Sequence, residues 1–582
     1  MPPQQQKLVF ESHPDGTRLC VIATNVAETS LTIPNIKYVV DSGKVKEKVY
    51  DKMTGVSTFN ITWISQASAE QRAGRAGRTA PGHCYRLYSS AVYNEFSEFT
   101  LPEIKRRPID DVVLLMKAKL LPVINFPYPT PPDYVQIVHA IDRLKKLGAL
   151  EIFHNTNNSL QIKKQKKNEP VKDGTKITEL GRIMQLFPVA PRFGKMLALS
   201  AQKNLLPYSV ILVAALTVPE VLSEVPLNES ENSEETRKKW VSRRMIWSGV
   251  GNKKQLGDPY VLLHAVLEAA KADSLRSQIK GGSKVFCAEN GLRHKAVVEV
   301  LKLHRQLASE INKMASSDLL LDFKKPLPTP DDQTAKLLRQ ILLLGFVDHV
   351  AKKVDENEIK DPAERPKWKN AYRSIELEDP IFLPSSSVLN DTKPQWIVYQ
   401  EIYESNKLYI RGVTAIEPEW LCLLAPAHCS FSAPLETPLP SYDPEKDRIL
   451  CYRSAKFGPA GWEIPDTQVE YPREDKDFFK WFAYFFLLGD ICLPLKSFTK
   501  FLKEPKTLIN PVAIRFRVQR DELLRTLSSQ NATSLERLKE IWNENPKYLL
   551  SIYLKWINDD SIIDDVKRIW PPIIIEKSTD WD

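Results

Sequence analysis

The sequence has few cysteines and no long apolar run. Its seven cysteines are scattered over 582 residues, and no two of them form a CxxC pair. This distribution indicates free thiols in a reducing compartment and argues against a zinc site. The most apolar stretch, WFAYFFLLGDICLPL, is interrupted by Gly489 and Asp490, and the first residues lack the basic and apolar regions of a signal peptide. We therefore expect a soluble intracellular protein.

Length and charge leave the function open. A chain of 582 residues predicts about four domains. The net charge of +9 permits binding to a polyanion, but it is spread over a large surface. Basic clusters such as KVKEKVYDK at 44–52 and KKQKK at 163–167 are more often solvated surfaces than binding sites.

The first part of the chain has the pattern of an α/β sheet. Apolar runs at 17–24 and 36–41 predict two buried strands separated by a short irregular segment. Residues 44–65 carry β-branched and aromatic residues on both sides of a Thr-Gly pair, which predicts a long hairpin. Ser65 or Ser68 can cap the helix that follows.

The rest of the chain changes from helices to strands. Residues 101–150 predict two amphipathic helices around a proline-rich link, with Gly148 as a helix C-cap. The pattern is then mostly helical to about residue 345, and we expect the polar segment 223–256 to be a solvent loop. After residue 370, short strands predict a small barrel, and the last 150 residues mix strands with aromatic helices.

One segment, QRAGRAGR at 71–78, has the composition of a phosphate-binding element. On a continuous helix, Gln71, Arg75 and Arg78 stand at i, i+4 and i+7 and share one face. One amide and two guanidinium groups suit the oxygens of a phosphoryl group in transfer. Arg72 lies elsewhere on the helix and is expected to be structural.

The same segment contains Gly74 and Gly77, each of which weakens a helix by roughly 1 kcal/mol relative to alanine. We expect these glycines to allow close approach of neighbouring backbone. The alternatives are a basic RNA-binding tail of Arg-Gly type and an exposed charged helix.

Two segments in this order are similar to a known family. ATNVAETSLT at 23–32, followed by QRAGRAGRTAPGHCYRLY at 71–88, resembles motifs five and six of DEAH-box RNA helicases. The resemblance extends over about residues 1–430 and implies a multidomain α/β, α and β protein. The implied domains are part of a second RecA-like domain (1–92), a winged helix with a basic insertion (93–182), a helical ratchet bundle (183–334), an OB-fold barrel (335–434) and a mixed α+β extension (435–582).

The resemblance also implies a nucleotide site. Gln71, Arg75 and Arg78 would be catalytic and would contact the terminal phosphates of ATP, with the two arginines as arginine fingers. Ser30 and Thr32 would also belong to the nucleotide site. Pro34 and Asn35 stand where the family often has Asp-Gly, which implies weaker contacts to the nucleoside.

RNA contacts follow from the same resemblance. Thr24 and Asn25 would hold an RNA phosphate, and the hairpin would separate bases through a strand that carries Lys44, Lys46 and Lys48. No metal site is implied within this sequence.

The sequence lacks the P-loop, the DEAH tetrad and the Ser-Ala-Thr motif of the family. These belong to a first RecA-like domain, which binds Mg²⁺ and most of ATP. We therefore expect this chain to be the C-terminal part of a helicase that does not hydrolyse ATP alone. The alternative is a non-catalytic isoform that acts as an RNA- or protein-binding module.

Within the family, the long aromatic extension and Pro34 resemble the nucleolar member of small-subunit ribosome assembly. That member displaces a box C/D small nucleolar RNA from precursor rRNA. The resemblance implies a nuclear, nucleolar location and partners among pre-rRNA, small nucleolar RNA and pre-ribosome assembly proteins, with no membrane.

Overall fold

The structure is a computed structural model that forms two compact units, residues 1–416 and 417–582. It describes residues 8–11, 16–29, 33–50, 57–78, 80–152, 174–223, 231–274, 282–314, 321, 327–355, 357, 359, 361–509 and 516–573. Within these ranges, none of the helices has the length and apolarity that a membrane crossing requires.

The first unit begins with a parallel pair of strands and a hairpin. Strand β1 (Tyr38–Asp41) pairs in parallel with β4 (His83–Arg86). Between them, β2 (Lys44–Tyr50) and β3 (Ser57–Trp63) form the predicted antiparallel hairpin, with Lys44 opposite Trp63. The helices of this region are α1 (Val26–Thr29), α2 (Gln66–Ala73) and α3 (Ser90–Asn94). The predicted turn of the hairpin lies outside the described residues.

The predicted strand at 17–24 is not formed. These residues have no strand pairing, and Leu19 and Ile22 are 45% and 97% exposed. A buried parallel strand needs a neighbouring strand to bond its backbone, and the described sheet here contains β1 and β4 alone. The apolar run alone is therefore insufficient to make a strand.

Helices and a small sheet follow at residues 103–185. Helices α4 (Glu103–Arg106), α5 (Asp110–Ala118), α6 (Tyr134–Lys146) and α7 (Glu179–Gln185) accompany an antiparallel pair, β5 (Leu150–Ile152) and β6 (Thr175–Ile177). The predicted cap of α6 is confirmed, since Gly148 has φ +77° and its N–H donates to the Lys145 carbonyl. The basic cluster 163–167 lies outside the described residues.

The predicted helical region is confirmed. Its helices are α8 (Pro191–Ala201), α9 (Leu206–Thr217), α10 (Glu231–Ser248), α11 (Asn252–Leu256), α12 (Asp258–Ser274), α13 (Gly282–Glu289), α14 (His294–Met314) and α15 (Asp332–Gly345).

The expectation of a solvent loop at 223–256 is wrong, because α10 occupies most of that segment. The indole of Trp240 covers Gly291, where an added Cβ would lie 2.4 Å from the ring. Trp247 is 4% exposed, and its carbonyl oxygen lies 3.0 Å from Nδ1 of His264 on α12. Packing against distant residues therefore holds a helix whose own sequence is largely polar.

The strands predicted after residue 370 are confirmed, and one more strand precedes them at Val350–Lys353. Together these strands form most of a nine-stranded sheet. They are β7 (Val350–Lys353), β8 (Tyr372–Ser374), β9 (Ile381–Phe382), β10 (Trp396–Val398), β11 (Glu401–Glu404), β12 (Leu408–Arg411) and β13 (Thr414–Ala415), with the short helix α16 (Arg365–Trp368) before β8. The strand order is β13-β10-β7-β8-β9-β12-β11-β3-β2, so the hairpin joins this sheet through Ser57 and Tyr403.

Buried polar contacts fix the helices against this sheet. The guanidinium of Arg192 on α8 donates to both carboxylate oxygens of Asp348 at 3.2 and 3.3 Å. Asp258, at the start of α12, accepts hydrogen bonds from Ser387 and from the backbone N–H groups of Val388 and Val413. Buried polar groups with such partners tie these two parts of the unit together.

The second unit has its own sheet and core. Strands β14 (Cys429–Phe431), β15 (Ser441–Asp443), β16 (Arg448–Phe457) and β17 (Trp462–Glu470) form an antiparallel sheet. Its helices are α17 (Glu419–Leu424), α18 (Phe478–Leu487), α19 (Arg517–Ser529), α20 (Leu535–Glu544), α21 (Leu550–Lys555) and α22 (Ile563–Ile569). Trp542 and Trp556 are fully buried in its core. The predicted mixture of strands and aromatic helices is confirmed.

Candidate functional site

The arginine-rich segment forms a short helix followed by a turn. Ser65 caps α2, since its hydroxyl oxygen accepts the backbone N–H of Ser68 at 3.1 Å. The helix ends at Ala73, so Gln71 lies on it while Arg75 and Arg78 lie in the turn beyond. The expectation that these three residues share one face of a continuous helix is therefore wrong. The low helix propensity of the two glycines, at 74 and 77, accounts for the early end.

Arg72 is the half-buried centre of this segment. Its guanidinium donates to the Glu28 carboxylate at 2.9 Å, to the Asp41 carboxylate at 2.9 Å and to the Lys44 carbonyl at 3.1 Å. Burial acts to lower the pKa of Arg72, but hydrogen bonds and charge from Asp41 and Glu28 outweigh it and raise the pKa. Arg72 therefore anchors the segment to α1 and to the end of β1, the structural role expected for it.

Arg75 connects the two sequence motifs. Its guanidinium donates to the backbone carbonyl of Glu28, at the end of α1, in contact with the segment at 23–32. Gln71 precedes Arg75 in the sequence and Arg78 follows it, and both of these residues are exposed. The two motifs, which are about 40 residues apart in sequence, therefore meet in the structure.

The close approach expected at Gly74 and Gly77 occurs instead at Gly82. No described atom lies within 4 Å of a Cβ added at Gly77, and a Cβ at Gly74 would be 3.4 Å from its nearest neighbour. A Cβ at Gly82 would lie 2.3 Å from the Ala76 carbonyl oxygen and 2.7 Å from that of Lys37. Gly82 therefore allows the arginine turn to lie directly against the chain that leads into β4.

The residues expected to hold RNA near motif five lie at the start of α1. Thr24 and Asn25 are exposed, and their carbonyl oxygens accept the N–H groups of Ala27 and Glu28 at 3.1 and 3.0 Å. Ser30 and Thr32, expected at the nucleotide site, lie outside the described residues.

The hairpin lysines lie on β2. Lys44 Nζ lies 3.0 Å from the centroid of the Trp63 ring, a cation–π contact across the hairpin. Lys46 is exposed two residues further along the strand, and at Lys48 the backbone alone is described. Alternate residues of a strand lie on the same face, so Lys44 and Lys46 share one.

Substitution of Arg72 by methionine is expected to lower the free energy of unfolding of this region by about 2–3 kcal/mol. The buried Asp41 and half-buried Glu28 carboxylates lose their cation, although Asp41 keeps hydrogen bonds from the Gly43 N–H and the Tyr88 hydroxyl. Hydrogen exchange of α1 and β1 measures the change.

Arg86→Met is the matched control, because Arg86 pairs with a Glu70 side chain that is 62% exposed. It should cost less than about 1 kcal/mol. Equal effects of the two substitutions would contradict an anchoring role for Arg72.

The chemistry of Gln71, Arg75 and Arg78 fits phosphate but not a metal. An amide and two guanidinium groups supply N–H donors that phosphate oxygens accept, and arginine does so with two parallel hydrogen bonds. Mg²⁺ prefers carboxylate oxygens and water, and this set of three residues supplies no carboxylate. These residues could therefore bind the phosphates of ATP, while Mg²⁺ would need ligands elsewhere.

Comparison with protein families agrees with this organisation. Residues 1–80 match the helicase conserved C-terminal domain, residues 190–262 the ratchet-like helicase associated domain (HA2), and residues 338–428 an oligonucleotide/oligosaccharide-binding (OB) fold. In the same order along one chain, these matches define the C-terminal region of a helicase. They also confirm the predicted fold class of α/β, α and β parts.

A match near the end of the chain identifies the particular family of helicases. Residues 494–574 match the DEAH helicase DHX37 C-terminal domain. The human "Probable ATP-dependent RNA helicase DHX37" and the Drosophila melanogaster "Probable ATP-dependent RNA helicase kurz" are each 44% identical over 98% of this chain. The Saccharomyces cerevisiae "Probable ATP-dependent RNA helicase DHR1" is 39% identical over 81% of it. The chain belongs to the DHX37-like DEAH-box RNA helicases, as their C-terminal region.

The chain spans about half the length of the curated relatives that it matches, with 48% of the human and 47% of the fly protein covered.

Sequence reasoning missed two residues of this site, Glu28 and Asp41. Asp41 ends the apolar run YVVD and is 2% exposed, although Tyr38 and Val40 of the same strand are 64% and 66% exposed, so the buried strand expected here is wrong. A charged residue at the end of an apolar run is a usable signal. Glu28 lies inside the motif-five segment, but its pairing with Arg72 depends on the tertiary structure.

Proposed function

We propose that this chain is the C-terminal portion of an ATP-dependent RNA helicase that translocates on structured RNA and remodels it. The observation that carries the proposal is the contact between the segments at 23–32 and 71–78, made by Arg72 and Arg75 to Glu28. Arg75, proposed for the nucleotide site, contacts the segment at 23–32, which is proposed to hold RNA. This contact offers a physical link between the two sites.

In this proposal, Gln71, Arg75 and Arg78 bind the terminal phosphates of ATP, and Ser30 and Thr32 contribute to the same site. A first RecA-like domain supplies the P-loop and the ligands of Mg²⁺. The whole enzyme is a nucleoside triphosphatase that acts on RNA, and residues 1–582 alone do not hydrolyse ATP.

Thr24, Asn25 and the hairpin lysines Lys44, Lys46 and Lys48 are proposed to contact RNA. The 44% identity to DHX37 supports a role in ribosome biogenesis, with pre-rRNA and small nucleolar RNA as substrates and pre-ribosome assembly proteins as partners. The corresponding location is the nucleolus. The domain boundaries at 92, 182, 334 and 434 remain predictions.

A binding measurement on residues 1–582 tests the RNA part of the proposal. The chain should bind fluorescent single-stranded oligouridylate with an affinity that falls steeply with salt, because lysine and arginine contacts release counterions. ATP should leave the affinity unchanged within a factor of two. Lys44→Gln with Lys46→Gln should weaken binding about threefold to tenfold, and a chain that binds no RNA would contradict the proposal.

A further inference from the structure

Helix α10 is held against the rest of the first unit along one side. The indole of Trp240 lies over Gly291, and Trp247 is 4% exposed. The Arg244 guanidinium donates to the Ser223 carbonyl at 2.6 Å. Trp240, Arg244 and Trp247 are four and three residues apart, so they lie on the same side of the helix. These contacts fix which side of α10 points away from the rest of the unit.

The opposite side of α10 exposes aliphatic side chains. Val241, Met245 and Ile246 are 51%, 38% and 67% exposed, and Val250, two residues beyond the helix, is 78% exposed. Val241 and Met245 are four residues apart, so they are neighbours on the helix surface. Single exposed apolar residues are common on protein surfaces, whereas a contiguous group of them marks an interaction site.

The same side of α10 carries positive charge. Lys239 and Arg243 are exposed, and they precede Ile246 by seven and three residues, which places the three side chains in one row along the helix. Residues 238–257 contain six lysines and arginines and neither aspartate nor glutamate. A partner that binds here must therefore supply negative charge beside an apolar surface.

The aliphatic side chains favour a protein over RNA as that partner. The bases of a single strand stack on aromatic rings, and the two aromatic residues of this stretch, Trp240 and Trp247, lie on the other side of the helix. The exposed side between residues 238 and 248 is about 15 Å long, which corresponds to about three turns of a partner helix. Valine, isoleucine and the adaptable side chain of methionine suit the apolar side of such a helix.

We propose that the α10 surface, formed by Lys239, Val241, Arg243, Met245 and Ile246, binds an amphipathic helix of a partner protein whose apolar side is bordered by aspartate and glutamate. The apolar side of the partner covers the three aliphatic residues, and its carboxylates pair with the lysine and the arginine. The inference goes beyond the proposed function, since none of these five residues belongs to the arginine segment or to the hairpin.

The experiment measures binding of synthetic peptides to the full chain by fluorescence anisotropy in 150 mM KCl. The first peptide has 18 residues of leucine, alanine and glutamate, with the leucines on one side of the helix. A second peptide of the same composition distributes the leucines around the helix, and a third has lysine in place of glutamate. The first peptide should bind at least tenfold more tightly than the other two, because it alone matches the α10 surface in both apolar pattern and charge.

Substitutions within the α10 surface test where the first peptide binds. M245S/I246S should weaken its binding at least tenfold, because the apolar contact is lost. K239Q/R243Q should weaken it about threefold to tenfold and make the affinity less dependent on salt. All four side chains are exposed, so hydrogen exchange of α10 and α12 in the free variants should equal that of the wild type.

The matched control is V135S/V138S on α6, which removes valines that are 51% and 44% exposed and should change the affinity less than twofold. Failure of the first peptide to bind, equal binding of the first two peptides, or unchanged affinity of M245S/I246S would overturn the inference. Displacement of the peptide by oligouridylate, with weaker oligouridylate binding by K239Q/R243Q, would assign the surface to RNA and overturn it as well. The proposed function stands in each case, because its test is RNA binding through the hairpin lysines.

Discussion

Arg75→Ala and Arg78→Ala should each lower RNA-stimulated ATP hydrolysis by a factor of about 10³ or more in an enzyme that joins this chain to a first RecA-like domain. Both residues follow α2 in a turn that Arg72 anchors through Glu28 and Asp41. An arginine held at a terminal phosphate stabilises the charge that develops as the phosphoryl group is transferred, and alanine removes that charge. Hydrolysis is measured with saturating oligouridylate and Mg²⁺.

RNA affinity separates a catalytic role from an RNA-binding role for these arginines. Both variants should bind oligouridylate within a factor of two of the wild type. Arg106→Ala, at the end of α4, is the matched control, because its side chain is also exposed and lies outside the arginine segment. A loss of RNA affinity as large as the loss of hydrolysis would indicate that Arg75 and Arg78 hold RNA instead.

Arg192→Met should lower the free energy of unfolding of the first unit by about 3–5 kcal/mol. The Asp348 side chain is 4% exposed, and Arg192 supplies hydrogen bonds to both of its oxygens. Burial acts to raise the pKa of Asp348, but the charge of Arg192 and its hydrogen bonds outweigh burial and lower the pKa well below its usual range. Methionine would leave this buried carboxylate charged and without its cation.

Hydrogen exchange during urea unfolding can measure this loss separately for residues 1–416 and 417–582. The double variant Arg192→Met/Asp348→Asn should recover part of the stability, because the unpaired charge is removed as well. Arg107→Met, which breaks an exposed pair with Glu103, should cost less than about 0.5 kcal/mol. A cost for Arg192→Met as small as this control would show that the pair does not hold the helices against the sheet.

Much of the fold follows from local sequence. The hairpin at 44–63, the cap of α6 at Gly148, the end of the helical region near residue 345 and the strands after residue 370 are all confirmed. Each rests on interactions between residues close in sequence, such as a turn, a cap or an apolar period, and these are the interactions that a local pattern records.

The predictions of the fold that are wrong depend on interactions between residues distant in sequence. The run at 17–24 has the composition of a strand but no neighbouring strand in the described sheet. Helix α10 is largely polar and depends on Trp240 against Gly291 and Trp247 near His264. Alternation in β11 and β12 does not show which face of each strand meets the core, which in the structure is the face of Ile402 and Ile410.

In the candidate site, too, local features could be predicted from the sequence and contacts between distant residues could not. The residue types at 71, 72, 75 and 78 and their likeness to a helicase motif are visible in the sequence. The anchoring of Arg72 by Asp41 and Glu28 and the close approach at Gly82 depend on the folded chain. The sequence therefore predicts the chemistry of the segment more fully than its geometry.

The most direct test compares ATP hydrolysis by residues 1–582 with hydrolysis by the same chain joined to the first RecA-like domain of its human relative. Hydrolysis is followed with Mg²⁺, with and without oligouridylate. Residues 1–582 alone should not hydrolyse ATP, and the joined protein should show RNA-stimulated hydrolysis. Hydrolysis by residues 1–582 alone, or a joined protein that folds and binds RNA yet remains inactive, would contradict this expectation.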